Sequence, residues 1–295
     1  MTREKEIYKV TLVGSGVNLL LTLLKFVAGV LGHSAAMTAD AVHSLTDLVS
    51  DAVVLIFVKI SARPQDADHD YGHGKYETLA TVLVSALLVG AGLWLMVTSG
   101  LDIVRCLRGY VPEEPGWLAL GAAILSVVMK EGLYHWTMYK EKTIHSPALV
   151  ANAWHHRSDS LTSIAAIIGI GGAMYLGQSW RVLDPAAAFV VSFFIIRSAY
   201  TIARPALDDL LEKSLPAETK LRIEEIVLTT PGVEAMHRLR TRHIGLRTAI
   251  ECHIKLSPDI SLREAHAVAS RVERRLKEEF GEDTHTGIHM EPYEF

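Results

Sequence analysis

The chain has 295 residues, 49% of them hydrophobic and 21% charged, with a formal net charge of −4. That charge gives no reason to expect a nucleic-acid partner, and the two cysteines, Cys106 and Cys252, form neither a CxxC pair nor a disulfide framework. The averages conceal two unlike halves. Residues 1 to about 205 carry apolar runs near the roughly 20 residues that one membrane crossing needs, whereas charged and apolar positions alternate from about 206 onward. A membrane domain over 1–205 and a small water-soluble domain over 206–295 are expected.

Six apolar segments follow in order: Val10 to Leu31, Ala35 to Ile60, Leu79 to Leu101, Trp117 to Tyr139, Leu149 to Leu176 and Pro185 to Ile202. Lipid forces each spanning segment to satisfy its own backbone hydrogen bonds, so all six are expected as transmembrane helices. Arg3, Lys5, Lys9, Arg63, Lys75, Lys140, Lys142 and Arg204 flank one side, against Arg105, Arg108 and Arg181 on the other. Basic loops stay in the cytoplasm, which places both termini there.

The tail reads as two helices and three strands. "PAETKLRIEEIVLTTPG" offers Leu221, Ile223, Ile226 and Val227 as an apolar stripe. "VEAMHRLRTRHIG" and "LRTAIECHIKL" read as a hairpin turning near Gly245. "SLREAHAVASRVERRLKEEFG" is an amphipathic helix with a capping box at Ser261 and Glu264, and "THTGIHMEP" is a third strand. The αββαβ order suits a sheet covered on one face by helices.

"ADAVHSLTDLVSD", from Ala39, sets Asp40, His43, Asp47 and Asp51 along one face of the second apolar segment. The fifth segment repeats the spacing with His155 and Asp159 in "HHRSD". Ionisable groups in a bilayer are expensive and face a bundle interior or a water-filled path. One such pair reads more readily as a helix–helix hydrogen bond or a salt bridge than as a metal site. Two pairs on different segments supply two imidazoles and two carboxylates, a tetrahedral ligand set for Zn2+. Asp40 and Asp51 read as helix-end caps or members of a water path. His156, about 100° round the helix, reads as a bystander. In "DADHDYGHGK", Asp66, His69 and His73 fit a small metal site as readily as a solvated loop.

"LGHSAAMTADAVHSLTDLVSD", "PQDADHDYGHGKYETLA", "NAWHHRSDSLTS" and "TTPGVEAMHRLRTR" together resemble the cation diffusion facilitator family, over nearly the whole chain. The resemblance implies a homodimeric exporter of divalent metals coupled to inward proton flow. It implies six membrane helices and a ferredoxin-like α+β cytoplasmic domain, and no enzyme activity. It assigns the transport site to His43, Asp47, His155 and Asp159, and a loop site to Asp66, His69 and His73. A cytoplasmic site falls to His237, His253, His266, His289 and Glu291, with Met290 where a polar bridging residue can stand. Lys75 takes an acidic partner near the end of the last membrane helix, Glu212 ahead of Asp208 and Asp209. The compact length resembles a prokaryotic zinc-type member, lying in the cytoplasmic (inner) membrane. Zn2+ is the expected cargo, with Cd2+, Co2+, Ni2+ or Fe2+ as weaker ones. The alternative is a membrane metal sensor or a non-transporting partner of another metal transporter.

Overall fold

The computed structural model describes residues 3–61, 63–144, 147–245 and 247–293. Among these, six helices of 27 to 33 residues come first: α1 (Arg3–Leu31), α2 (Ala35–Ser61), α3 (Lys75–Leu107), α4 (Trp117–Ile144), α5 (Pro147–Tyr175) and α6 (Leu183–Leu210). Each grows from one apolar run, and polar flanks extend several of them. The α3 run of Leu79 to Leu101 gains Glu77 in its first turn and Arg105 in its last, each at the end where the helix dipole favours its charge. Lys9–Leu31, Lys75–Leu107, Trp117–Lys142 and Gln178–Leu210 are long and apolar enough to cross a membrane, by length and composition among the described residues. The two remaining long helices, α2 and α5, carry the paired His and Asp motifs.

By packing, the chain divides into two compact units: residues 1–52 with 84–201, and residues 53–83 with 202–295. In the first, α4 lies against α5 and α1 against α4. Small side chains let the backbones approach, with Ala28, Ala36, Ala119, Ala123 and Ala166 all buried in one cluster. The α1–α2 turn is closer still. A Cβ on Gly32 would stand 2.4 Å from the Ala28 carbonyl oxygen and 2.9 Å from Ala119 Cβ, so only glycine fits there. Asp184 of α6 caps the start of α2, accepting from Ser34 Oγ and Ala35 N–H at 2.6 Å each. Those N–H groups have no partner within their own helix, and the carboxylate meets the positive end of its dipole. The contact fixes the start of α2, two turns before His43.

Asp40 is neither a helix cap nor a water-path group, as its position had suggested. It is fully buried and paired with Lys25 of α1 at 2.8 Å, and it also accepts from Ser163 Oγ at 2.8 Å and Thr162 Oγ1 at 3.2 Å. A carboxylate withdrawn from water needs these partners, and the lysine that supplies one lies on a different helix. The side chain of Asp51 lies outside the described residues.

The second unit contains α7 (Ala217–Leu228), β1 (Ala235–Ile244), β2 (Arg247–Leu256), α8 (Leu262–Phe280) and β3 (His285–Pro292). The sheet order is β1-β2-β3, with β1 antiparallel and β3 parallel to the central β2. Ile250, Cys252, Ile254 and Leu256 alternate along β2 and meet Ile223, Ile226 and Val227 of α7 and Val268, Val272 and Leu276 of α8. Leu221 does not join this stripe; it is 64% exposed, since two positions before Ile223 is about 200° round a helix. Ser261 caps α8, accepting from the Glu264 N–H while Glu264 accepts from the Ser261 N–H.

The same unit takes in the start of α3. Lys75 pairs with Glu212, which also meets Arg242 Nε at 3.0 Å. Of the competing acids, Asp209 accepts from Thr78 Oγ1 at 2.5 Å and Asp208 pairs with Lys213. The β1–β2 turn presses backbone to backbone on Gly74, the residue before α3. A Cβ on Gly245 (φ +61) would lie 2.6 Å from the Gly74 carbonyl oxygen.

Candidate metal centres

The first centre lies within the helical unit. His43 and Asp47, one turn apart on α2, face Asp159 on α5, and one ligand atom from each lies within 4.8 Å of the others. Among the described residues, His43 Nδ1 and Asp47 Oδ2 are buried with no hydrogen-bond partner. Buried polar atoms are nearly always paired, so two residues that each keep an unpartnered buried atom and cluster with a third donor have the chemistry of a cation site. His155 stands at the edge. Its side chain is 48% exposed, with Nδ1 3.8 Å from Asp159 Oδ1. It lines the same cavity of about 430 Å³ as the other three, together with Arg197 and Thr201 of α6. His156 is buried against Gly14 of α1 and does not join the centre.

Two lysines inside the apolar runs, Lys25 of the first and Lys130 of the fourth, carry no assignment from the sequence. The structure buries both. Lys130 Nζ donates to Asp159 Oδ2 at 2.6 Å. Lys25 Nζ, besides its ion pair with Asp40, donates to Ser44 Oγ and Ser163 Oγ at 3.0 Å each. The available signal was the lysine itself, because a cation in an apolar run needs a partner inside the bundle.

The second centre is the loop after α2. Ligand atoms of Asp66, His69 and His73 lie within 4.8 Å of one another. Asp66 Oδ1 is 3.1 Å from His69 Nδ1 and Asp66 Oδ2 is 3.3 Å from His73 Nε2. His73 Nδ1 lies 3.2 Å from the Pro64 carbonyl oxygen; donating to it would leave Nε2 with a lone pair facing the cluster. Leaving water pushes the Asp66 carboxyl up, but hydrogen bonds from the Asp68 N–H and from His69 outweigh this and hold it below the usual carboxylate range.

The third centre follows from strand register. His237 of β1 is opposite His253 of β2, and His253 is opposite His289 of β3, so three imidazoles form a row across the sheet. Glu291 closes it, 2.7 Å from His253 Nδ1, 3.2 Å from His237 Nε2 and 3.7 Å from His289 Nε2. The hydrogen bond from His253, and then the neighbouring imidazoles, hold the Glu291 carboxyl below its usual range. The tightest group is His237, His253 and Glu291. His266 does not belong to it. It is exposed on α8, which packs on the face of the sheet carrying Cys252 and Ile254, whereas the histidine row points from the other face. Met290 likewise packs against the core and bridges no ligands.

Comparison with known proteins agrees with this architecture. Residues 11–211 match the family model of the cation efflux transmembrane domain, and residues 215–293 match that of the cation efflux protein cytoplasmic domain. The chain is 31% identical to the manganese efflux system protein MneP of Bacillus subtilis, over 99% of this chain and 98% of that one. It is 33% identical to metal tolerance protein C1 of Arabidopsis thaliana over 96% of its length, and spans 62% of that longer relative. A nickel form of the MamM C-terminal domain covers 27% of this chain and 100% of its own, at 21% identity and a TM-score of 0.25. Helical membrane domain, small-sheet cytoplasmic domain and clustered metal donors together define a multi-pass membrane transporter of metal cations, not an enzyme. The chain belongs to the cation diffusion facilitator family.

Proposed function

We propose that this transporter carries Zn2+ out of the cytoplasm in exchange for protons, through His43, Asp47, Asp159 and His155. The observation that carries the reading is the cluster of His43, Asp47 and Asp159 from two helices, two of whose members keep a buried polar atom without a hydrogen-bond partner among the described residues. Imidazole donors suit Zn2+, whereas a site of carboxylates alone suits harder ions such as Mn2+. Cd2+, Co2+, Ni2+ and Fe2+ are weaker cargoes. His43 and His155 carry the exchanged protons, because an imidazole nitrogen holds either a proton or a metal ion and not both.

In this reading all six long helices span the cytoplasmic (inner) membrane, both termini are cytoplasmic, and residues 1–205 form the transport domain of a prokaryotic zinc-type member. Residues 206–295 form a ferredoxin-like domain that joins two copies into a homodimer, with metal on His237, His253, His289 and Glu291 orienting them. The loop centre holds a further ion at the cytoplasmic face. The Lys75–Glu212 pair braces that region against the tail.

A second reading, Mn2+ as principal cargo, rests on the printed names of two Bacillus subtilis relatives, MneP and MneS, at 31% and 32% identity. A sensor or non-transporting partner of another transporter is the remaining alternative. Competitive flux of Zn2+ and Mn2+ into sealed vesicles bearing the purified chain separates all three. Zn2+ is expected to enter at least about tenfold faster than Mn2+ at equal concentration. Preference for Mn2+ would favour the second reading, and absence of flux for either ion would favour the third.

A further inference from the structure

The two buried lysines of the bundle do different things. Lys25 is saturated, with Asp40 Oδ2, Ser44 Oγ and Ser163 Oγ matching its three N–H groups. Lys130 is only 2% exposed, yet among the described residues its Nζ has a single partner, Asp159 Oδ2 at 2.6 Å. Among the described residues, Asp159 is the one member of the three-residue centre that pairs with a lysine or arginine. An arriving dication must therefore share Asp159 with the ammonium or take it over.

Charge decides what that means. With both carboxylates ionised, the one ammonium leaves the centre with one net negative charge rather than two. A dication then overcompensates the site instead of neutralising it, and like charges a few ångströms apart in a poorly screened interior repel strongly. The ammonium also occupies Asp159 when no ion is bound, so the carboxylate is not left buried without a partner.

Resting on the assignment of the transport centre above, we propose that Lys130 is a tethered counter-cation of that centre. It holds Asp159 in place when the centre is empty, and its charge weakens dication binding enough for the ion to leave. Lys130 is thus a positioning residue that sets affinity, not a ligand. Its flexible four-carbon stem is held by one partner among the described residues, so it can turn without breaking the three-point anchoring that fixes Lys25.

The test is initial-rate Zn2+ flux through the full chain in sealed vesicles at pH 8, where few protons compete for the centre. Lys130→Met and Lys130→Gln are each expected to lower KM at least about tenfold and to lower the maximal rate, because the ion now leaves slowly. Lys130→Arg keeps the charge and is expected to hold KM within about threefold of the wild type. An unchanged or raised KM in the neutral variants, with wild-type incorporation into vesicles, would overturn the proposal. So would failure of both neutral variants to fold, which would make Lys130 a structural brace. Asp47→Ala is run alongside. If Zn2+ flux survives in it, the assignment of the centre fails. If flux is lost there while the Lys130 variants leave KM unmoved, only the counter-cation fails.

Discussion

Asp47→Ala is expected to lower metal flux at least ~100-fold while leaving the protein folded. Asp47 Oδ2 has no hydrogen-bond partner among the described residues, so the substitution breaks no hydrogen bond at that oxygen. The bound ion loses one of three close donors, in a cavity where water replaces it poorly. Flux into vesicles reports the loss, and an unchanged unfolding midpoint in detergent separates lost function from lost structure. Wild-type flux in this variant would show that the ion travels elsewhere.

Lys25→Met should do the opposite, costing stability first. It strips a buried carboxylate of its counter-charge and removes a donor to Ser44 and Ser163. Breaking one side of a buried ion pair costs roughly 3–5 kcal/mol, because the remaining charge is left uncompensated. Lys25→Met combined with Asp40→Leu removes both charges and is expected to recover most of that loss. Denaturant unfolding of the single and double variants in detergent measures the difference. Equal destabilisation by both would mean that packing, not charge, governs this position.

The contrast between these two aspartates marks the limit of what the sequence discloses. Periodicity placed Asp40, His43 and Asp47 on one face of α2 correctly, because i, i+3 and i+4 geometry is local. Assigning a role to each required knowing which helices lie beside that face. Lys25 is 15 positions from Asp40 in sequence, across a helix turn, and no local pattern pairs them. Repetition of the His-x-x-x-Asp spacing did single out α5, and Asp159 does meet His43 and Asp47. His155 lies further out, beside Asp159 but half exposed.

The tail divides the same way. Alternation along β2 and the Ser261–Glu264 capping box are local signals, and both elements stand as read. The histidine row depends on register, which aligns His237, His253 and His289 across three strands and which the sequence does not spell out. His266 was grouped with them by type and resemblance alone, and the thickness of the sheet keeps it away within one chain. Glu212 could be chosen over Asp208 and Asp209 only through the resemblance. In the structure the two rejected acids have other partners, Lys213 and Thr78.

Proton-driven Zn2+ export through the proposed centre is measured as Zn2+ movement across sealed vesicles containing the wild-type chain, followed while a pH difference is imposed, reversed and then dissipated with a proton ionophore. Zn2+ is expected to move against the direction of proton flow, to reverse when the gradient reverses, and to lose its drive when the gradient is removed. Zn2+ flux of equal rate and direction under all three conditions would contradict it.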